Sequence, residues 1–361
     1  MQGARALARE GAPDGDALPL LAIRDLTVRF RTEEGPVYAV NGVSLDVDRG
    51  ETIGLVGESG CGKTVTALAA MRLLPPRPIS EVGGRILFDG IDLGSLSEKE
   101  MRSMRGRDIA MVFQDPMTSL NPVLRIGEQI EETIRAHRAA TRDDARKRSL
   151  ELLRSVGIPD PAQAVRRFPH EFSGGMRQRV MIAIALALEP KLLVADEPTT
   201  ALDVTIQAQV LELLAELTSR METALILITH DLGVVARMTQ FVAVMYAGFI
   251  VEAAPTKELF ARPRHPYTVG LLRSVPRLDT RGVLQPIEGA PPDLQEEPKG
   301  CPFAPRCPRR LDVCWEDMPL LTSVRFGDAR SESGRQHLFA CHNPVSPDVG
   351  LGVRSREAGA L

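Results

Sequence analysis

Apolar and polar positions alternate through LAIRDLTVRF at residues 21–30, and Val43, Leu45 and Val47 repeat the same two-residue period. That period sends successive side chains to opposite faces of the backbone, so both stretches are predicted as half-buried strands. TIGLV at 52–56 is a third predicted strand; it runs into glycines and then a predicted helix over about 63–74. GRILFDG (84–90) and DIAMVFQ (108–114) are predicted strands as well, the latter a continuous buried one. Between 116 and 190 the period lengthens. Ile126, Ile130 and Ile134 stand four apart, Leu150, Leu152, Leu153 and Val156 are interleaved with polar residues, and an apolar helix is expected at 176–188. A helical insert is predicted there.

The strand pattern returns at KLLVAD (191–196), TALILIT (223–229) and FVAVMYAGFIV (241–251), the last read as one strand, with a helix over about 205–220 between the first two. Strands alternating with helices predict an α/β fold with a mostly parallel, doubly wound sheet. Prolines then crowd the chain at 255, 263, 266, 276, 286, 291, 292 and 298, which marks a boundary near 260. Residues 19–260 are expected to form the main domain, and 261–342 a small Cys-rich C-terminal appendage too short and proline-rich to bury a core of its own. Residues 1–18 and 343–361 are expected to be tails. No internal repeat is present.

Charge narrows the function. The 361 residues carry 44 basic and 47 acidic side chains, a net −3, which excludes a basic nucleic-acid coat. No apolar run approaches the roughly 18–20 residues of a membrane span. Arg5, Arg9, Glu10 and Asp14 break up any leader-like stretch, so a cytosolic chain is expected. Of five cysteines, Cys301, Cys307, Cys314 and Cys341 crowd one late segment, which in a reduced compartment favours metal or cluster ligation over disulfides.

GESGCGKT at 57–64 fits GxxxxGK followed by Ser or Thr, between a predicted strand and a predicted helix. Gly57, Gly60 and Gly62 let successive backbone N–H groups wrap a phosphate, with Ser59 and Cys61 supplying further loop backbone. Lys63 reaches the β and γ phosphates, and Thr64 is placed to ligate Mg²⁺. LLVADEP at 192–198 ends an apolar strand in two acids. Asp196 would hold Mg²⁺ and Glu197 would activate the attacking water. On these two motifs a nucleotide triphosphatase is expected, with other P-loop phosphotransferases still open.

FSGGMRQR at 172–179 resembles the signature motif of ATP-binding-cassette (ABC) ATPases. In the expected order stand Gln114 in FQDP, TALD at 200–203 and His230 in ITHD, which resemble the Q-loop, D-loop and switch histidine of that family. The resemblance spans residues 21–252. It implies the P-loop ABC ATPase fold, a mixed sheet with a parallel core, an antiparallel β part and a helical subdomain at about 116–190. It also implies that Gln114 ligates Mg²⁺, that His230 contacts the γ-phosphate, and that Phe30, or else Tyr38, stacks on adenine. Ser173, Gly174 and Gly175 would close on the ATP held by a second subunit, and Asp203 would face that subunit. The usual LSGGQ is altered: Phe172 and Met176 replace its first and last residues, and Met176 cannot hydrogen-bond as glutamine does.

RPRHPYTVGLLRSVPRL (262–278), GAPPDL (289–294) and CPFAPRCP (301–308) closely resemble the segment that follows the nucleotide domain in oligopeptide, dipeptide and nickel importer ATPases. The implied function is ATP hydrolysis driving peptide import on the cytoplasmic face of the cell membrane, with nickel or another solute as alternative cargo. The implied partners are two transmembrane permeases, a second similar ATPase in a heterodimer, and an extracytoplasmic solute-binding protein. A non-transport ABC ATPase of nucleic-acid maintenance is the competing class. The cysteines are spaced C-x5-C-x6-C-x26-C, a donor set that suits Zn²⁺ or a [4Fe–4S] cluster in number; the resemblance implies the cluster, in a structural role.

Overall fold

Twelve strands stand among the described residues, which in this computed structural model are 18–200, 202–274, 286–323 and 335–346. They are β1 Leu21–Thr32, β2 Gly35–Val47, β3 Thr52–Val56, β4 Ser80–Phe88, β5 Ile91–Asp92 and β6 Ile109–Val112, then β7 Leu192–Asp196, β8 Ala224–Thr229, β9 Phe241–Tyr246, β10 Phe249–Pro255, β11 Thr322–Ser323 and β12 Leu338–Phe339. The alternating stretches 21–32 and 35–47 pair antiparallel and form, with β4 and β5, a sheet of order β2-β1-β4-β5. The continuous apolar runs β3, β6, β7, β8 and β9 form the parallel part of a second sheet, of order β11-β12-β10-β9-β3-β8-β7-β6. Every residue of β7, β8 and β9 is buried, as strands covered on both faces require. The expected mixed α/β architecture is present. Of the tails expected at 1–18 and 343–361, residues 1–17 and 347–361 lie outside the described residues, as do residues 275–278 of the proline-rich segment.

The stretch 241–251, read as one strand, is a hairpin instead. Ala247 and Gly248 both have positive φ, +48° and +82°, and Tyr246 pairs with Phe249 across them. Positive φ at both central positions is the two-residue turn that matches strand twist. The periodicity could not reveal it, because both arms are buried and the apolar run continues through the turn.

Residues 116–190 form the helices Pro116–Ser119, Ile126–His137, Arg142–Ser155, Pro161–Ala164 and Gly174–Ala185. Ile126, Ile130 and Ile134 pack with Leu152, Leu153, Val156 and Phe172 in one cluster that also takes in Val112 and Leu193 of the sheet. Phe172 is thus a core residue, which explains a bulky apolar group at the first signature position.

The appendage shares its core with the cassette. β12 pairs with β10 through Glu252–Phe339 and Ala253–Leu338, so the late segment extends the main sheet. One apolar cluster joins Val56, Val244 and Tyr246 of the cassette to Tyr267, Leu272, Phe303 and Cys307. A short proline-rich segment has too little apolar surface for a core of its own and completes its burial against the cassette. Glu252, fully buried on β10, fastens it by accepting from Arg264 N (2.6 Å) and His265 N (2.8 Å) and pairing with His337 Nε2 (2.7 Å).

His265 gives this docking a pH dependence. Its Nδ1 accepts from Tyr267 N at 3.1 Å, and burial pushes its pKa down to about 4, against a pull upward from Glu252. Between that value and about 6.5 the unfolded chain binds a proton that the folded chain refuses, so stability rises with pH across this window and is fully present above it. Lowering the pH from 7 to 5 should cost about 2 kcal/mol at this site. Thermal melts of the full chain and of His265→Asn should differ in pH slope between about pH 4 and 6.5 and converge on either side of that window; identical slopes between about pH 4.5 and 6 would refute the assignment.

Candidate functional site

The phosphate loop follows β3 directly, because TIGLV is buried between β8 and β9 and ends where the sheet's carboxyl edge opens. Gly57 (φ +154°) passes so close to β9 that a Cβ there would lie 2.2 Å from Met245 O. Gly62 (φ +103°) closes the loop's other end against β2, where a Cβ would lie 2.4 Å from Ala39 O. Gly62 is also the N-cap of the helix Lys63–Ala70, and its carbonyl accepts from Thr66 N at 2.9 Å. Lys63, 5% exposed, begins that helix and donates from Nζ to Gly57 O (2.8 Å) and Glu58 O (2.9 Å). The ammonium is held inside its own loop. Gly60 and Ser59 sit on the open side, and Cys61 is buried, its thiol pushed up by desolvation.

Thr64 Oγ1 donates to Asp196 Oδ1 at 3.1 Å, which joins two of the three expected Mg²⁺ ligands across 132 residues. Burial pushes the Asp196 carboxyl up; the Thr64 hydroxyl pulls it back, the Glu197 charge adds to the rise and Lys63 opposes it. A buried carboxylate beside a second one, with only hard oxygen donors, is a donor set that suits Mg²⁺. Gln114 does not join this pair. Its Nε2 donates to Glu197 Oε2 at 3.1 Å instead.

Glu197 is the focus of the remaining candidates. Its backbone takes a left-handed φ of +43°, unusual for a residue with a Cβ, and its N–H donates to Ile228 O at 2.9 Å. Thr200 Oγ1 donates to the same Oε2 as Gln114, at 2.8 Å, while His230 Nδ1 lies 3.5 Å from Oε1. One carboxylate oxygen is therefore held by two donors and the other is presented to His230. Thr200 was legible only as the first letter of TALD; its bond to the acid had no sequence signal.

Ser173 caps the helix Gly174–Ala185, accepting from Met176 N at 3.3 Å, and Ser173 and Gly174 are exposed. Among the described residues no hydrogen bond or ion pair joins 173–175 to the loop 57–64. Asp203 caps the helix Val204–Arg220 through Ile206 N at 3.0 Å, and Ala201 of TALD lies outside the described residues. Phe30 is partly buried against the core shared by both sheets, whereas Tyr38 lies under the Arg29 guanidinium at 4.9 Å.

All four late cysteines are free, and Cys301 N donates to Cys314 O at 2.8 Å. Burial pushes the Cys341 thiol up to about 12 and Cys301 to about 11, with the neighbouring thiols adding to both. Among the described residues, however, no group of three or more His, Cys, Asp or Glu side chains is arranged to hold a metal ion, so the expected cluster or zinc site has thiol donors but no coordination geometry here.

The phosphate loop also meets residues that motif reading missed. Glu58 N donates to Tyr267 OH at 2.9 Å, and the Glu58 carboxylate takes both ends of Arg306. A non-glycine position inside GxxxxGK carries no motif constraint, and its partners lie more than 200 residues away.

Comparison with known proteins agrees with this geometry. A family described as ABC transporter matches residues 40–200, and one described as oligopeptide/dipeptide transporter, C-terminal region, matches 251–314. The chain is 56% identical to the dipeptide transport ATP-binding protein DppD of Bacillus subtilis (strain 168), over 82% of this chain and 88% of that one. It is 50% identical to the oligopeptide transport ATP-binding protein OppD of Salmonella typhimurium, over 90% of this chain and 94% of that one. The ATP-binding cassette MJ0796, solved as a dimer in a post-hydrolysis state with ADP and Pi, superposes with a TM-score of 0.59 at 27% identity, over 65% of this chain and 98% of that one.

Proposed function

The chain belongs to the ABC transporter family, among the ATP-binding subunits of di- and oligopeptide importers, and from that premise we propose how its residues divide the work of ATP hydrolysis. The observation that carries the division is the convergence of Gln114, Thr200 and His230 on Glu197, next to the Thr64–Asp196 pair. The loop 57–64 binds the β and γ phosphates through its N–H groups and Lys63. Mg²⁺ supplies charge neutralisation at the phosphates when bound; Thr64 and Asp196 are the oxygens suited to hold it, with Gln114 reaching in from the end of β6. Gln114 and Thr200 both occupy Glu197 Oε2, which leaves Oε1 as the base for the attacking water. His230, beside that oxygen, contacts the γ-phosphate. Phe30 supplies the adenine stack.

The signature end 173–175 serves the nucleotide of a second, similar ATPase, and the two chains form a heterodimer. Two permeases dock on the helices of 116–190 at the cytoplasmic face, and an extracytoplasmic solute-binding protein delivers peptide; the chain itself has no helix, among the described residues, long and apolar enough to cross a membrane. Nucleic-acid maintenance is disfavoured, because its C-terminal region matches a peptide-transporter family. The C-x5-C-x6-C-x26-C spacing and the four free thiols support a [4Fe–4S] cluster as a structural crosslink, with zinc as the alternative; no step of hydrolysis runs through it.

One preparation tests these readings together. The complex taken from membranes in mild detergent should contain two permeases and a second ATPase chain. In proteoliposomes it should import a labelled di- or oligopeptide only with Mg-ATP. Anaerobically it should carry about four irons per chain. Nickel uptake without peptide uptake would overturn the cargo, a single ATPase species the heterodimer, and stoichiometric zinc without iron the cluster.

A further inference from the structure

Glu58 is the second residue of the phosphate loop and is bound three ways. Its N–H goes to Tyr267 OH (2.9 Å), its carbonyl to Lys63 Nζ (2.9 Å), and its carboxylate to Arg306, Nη1–Oε2 2.7 Å and Nη2–Oε1 3.0 Å. Two of these three partners belong to the C-terminal segment, and the third is the lysine that meets phosphate. Such a joint passes a displacement of the segment straight to the Lys63 ammonium.

Both C-terminal partners are rigid. Arg306 stands within the Cys301–Cys307 stretch with its side chain 5% exposed. Its Nη1 also donates to Tyr246 OH (3.3 Å), its Nη2 to Ile287 O (3.2 Å) and its Nε to Glu288 O (3.0 Å), so all five guanidinium N–H groups have partners. A planar fork with every donor used cannot turn without breaking several bonds at once. Tyr267 is fully buried, its ring 4.6 Å from that of Tyr246 and 5.4 Å from that of Phe303. Phe303, two residues after Cys301, thus props the tyrosine whose hydroxyl holds the loop.

We propose that Arg306 and Tyr267 are positioning residues of the phosphate loop, acting through Glu58, so that the packing of the cysteine-bearing segment sets the affinity of the chain for ATP. This rests on the ATPase reading above and deepens it. Tyr267 and Arg306 hold Glu58 from two sides, which fixes the peptide planes whose carbonyls cradle Lys63 before nucleotide arrives. Preorganisation of this kind shows in nucleotide binding rather than in the chemical step. It is also reciprocal: bound nucleotide must steady the segment as much as the segment steadies the loop.

The test uses the full chain, with mant-ATP and Mg²⁺ as the binding probe and turnover measured in the permease complex. Arg306→Met should raise the mant-ATP Kd and the KM for ATP about tenfold while kcat changes less than about threefold, and Arg306→Lys should recover part of the loss. Tyr267→Phe, which keeps the ring and removes only the hydroxyl, should weaken binding severalfold. Glu58→Gln combined with Arg306→Met should be no worse than Arg306→Met alone. Mant-ATP should slow hydrogen exchange at 301–307 in the wild type and not in Arg306→Met. If Arg306→Met does not fold, Tyr267→Phe and Glu58→Gln decide the matter by the same binding measurement. Variants that melt earlier yet keep Kd and KM within twofold of wild type would make these contacts mere fastening and overturn the proposal. Failure of the wild-type chain to bind mant-ATP would overturn the ATPase reading, and this proposal with it.

Discussion

Replacing Glu197 with glutamine should leave ATP bound and cut its hydrolysis by on the order of 10² or more, about 2.7 kcal/mol of transition-state stabilisation. The substitution keeps shape and an acceptor oxygen, so Gln114 and Thr200 retain a partner on that side. What disappears is the basicity of the oxygen that faces His230. The Thr64–Asp196 pair and the Lys63 cradle contain no part of Glu197, so nucleotide affinity should hold. The measurement is a pair: mant-ATP binding to the isolated chain, and single-turnover hydrolysis in the assembled complex. The trapped complex should keep its two ATPase chains closed together. Near-normal single turnover would mean that the base lies elsewhere.

Much of this site was legible because its parts are short and local. A strand, a glycine loop and a helix in succession specify a phosphate cradle whatever surrounds them, and the apolar runs that end in Gln114, Asp196 and His230 all end at one edge of a parallel sheet. The hairpin at Ala247–Gly248 was not legible, since burial of both arms erased the polar break that usually marks a turn. Where the appendage docks was not legible for a different reason. Proline density does mark where regular structure ends, but its few apolar groups, Tyr267, Leu272 and Phe303, all face the cassette, and facing is a tertiary fact. The contacts of Glu58 lay further still from the pattern, because a residue that any motif leaves free acquired its role from partners at 267 and 306. The cysteine spacing specified how many donors exist and left open whether they close on a metal.

Gly57→Ala should disable the loop, whereas Gly60→Ala should only weaken it. Both positions have positive φ, +154° and +78°, so alanine at either meets a backbone penalty of roughly 1–2 kcal/mol. At Gly60 that is nearly all, since a Cβ would meet nothing within 4 Å, and ATP affinity should fall about tenfold. At Gly57 the same Cβ would stand 2.2 Å from Met245 O and 2.7 Å from Cys61 Sγ. Met245 belongs to the buried strand β9, paired on both sides, and cannot retreat. The loop must move instead, and the Gly57 carbonyl that holds Lys63 moves with it. Mant-ATP binding should therefore fall by on the order of 10² or more, well past the backbone penalty alone, which is worth roughly a factor of five to thirty. The loss should match that of Lys63→Ala, because both changes take the ammonium away from the phosphates. The sheet stays intact, so far-UV circular dichroism should be unchanged. Binding by Gly57→Ala within a few-fold of Gly60→Ala would show that the loop does not depend on its close approach to β9, and the account of how Lys63 is placed would fall.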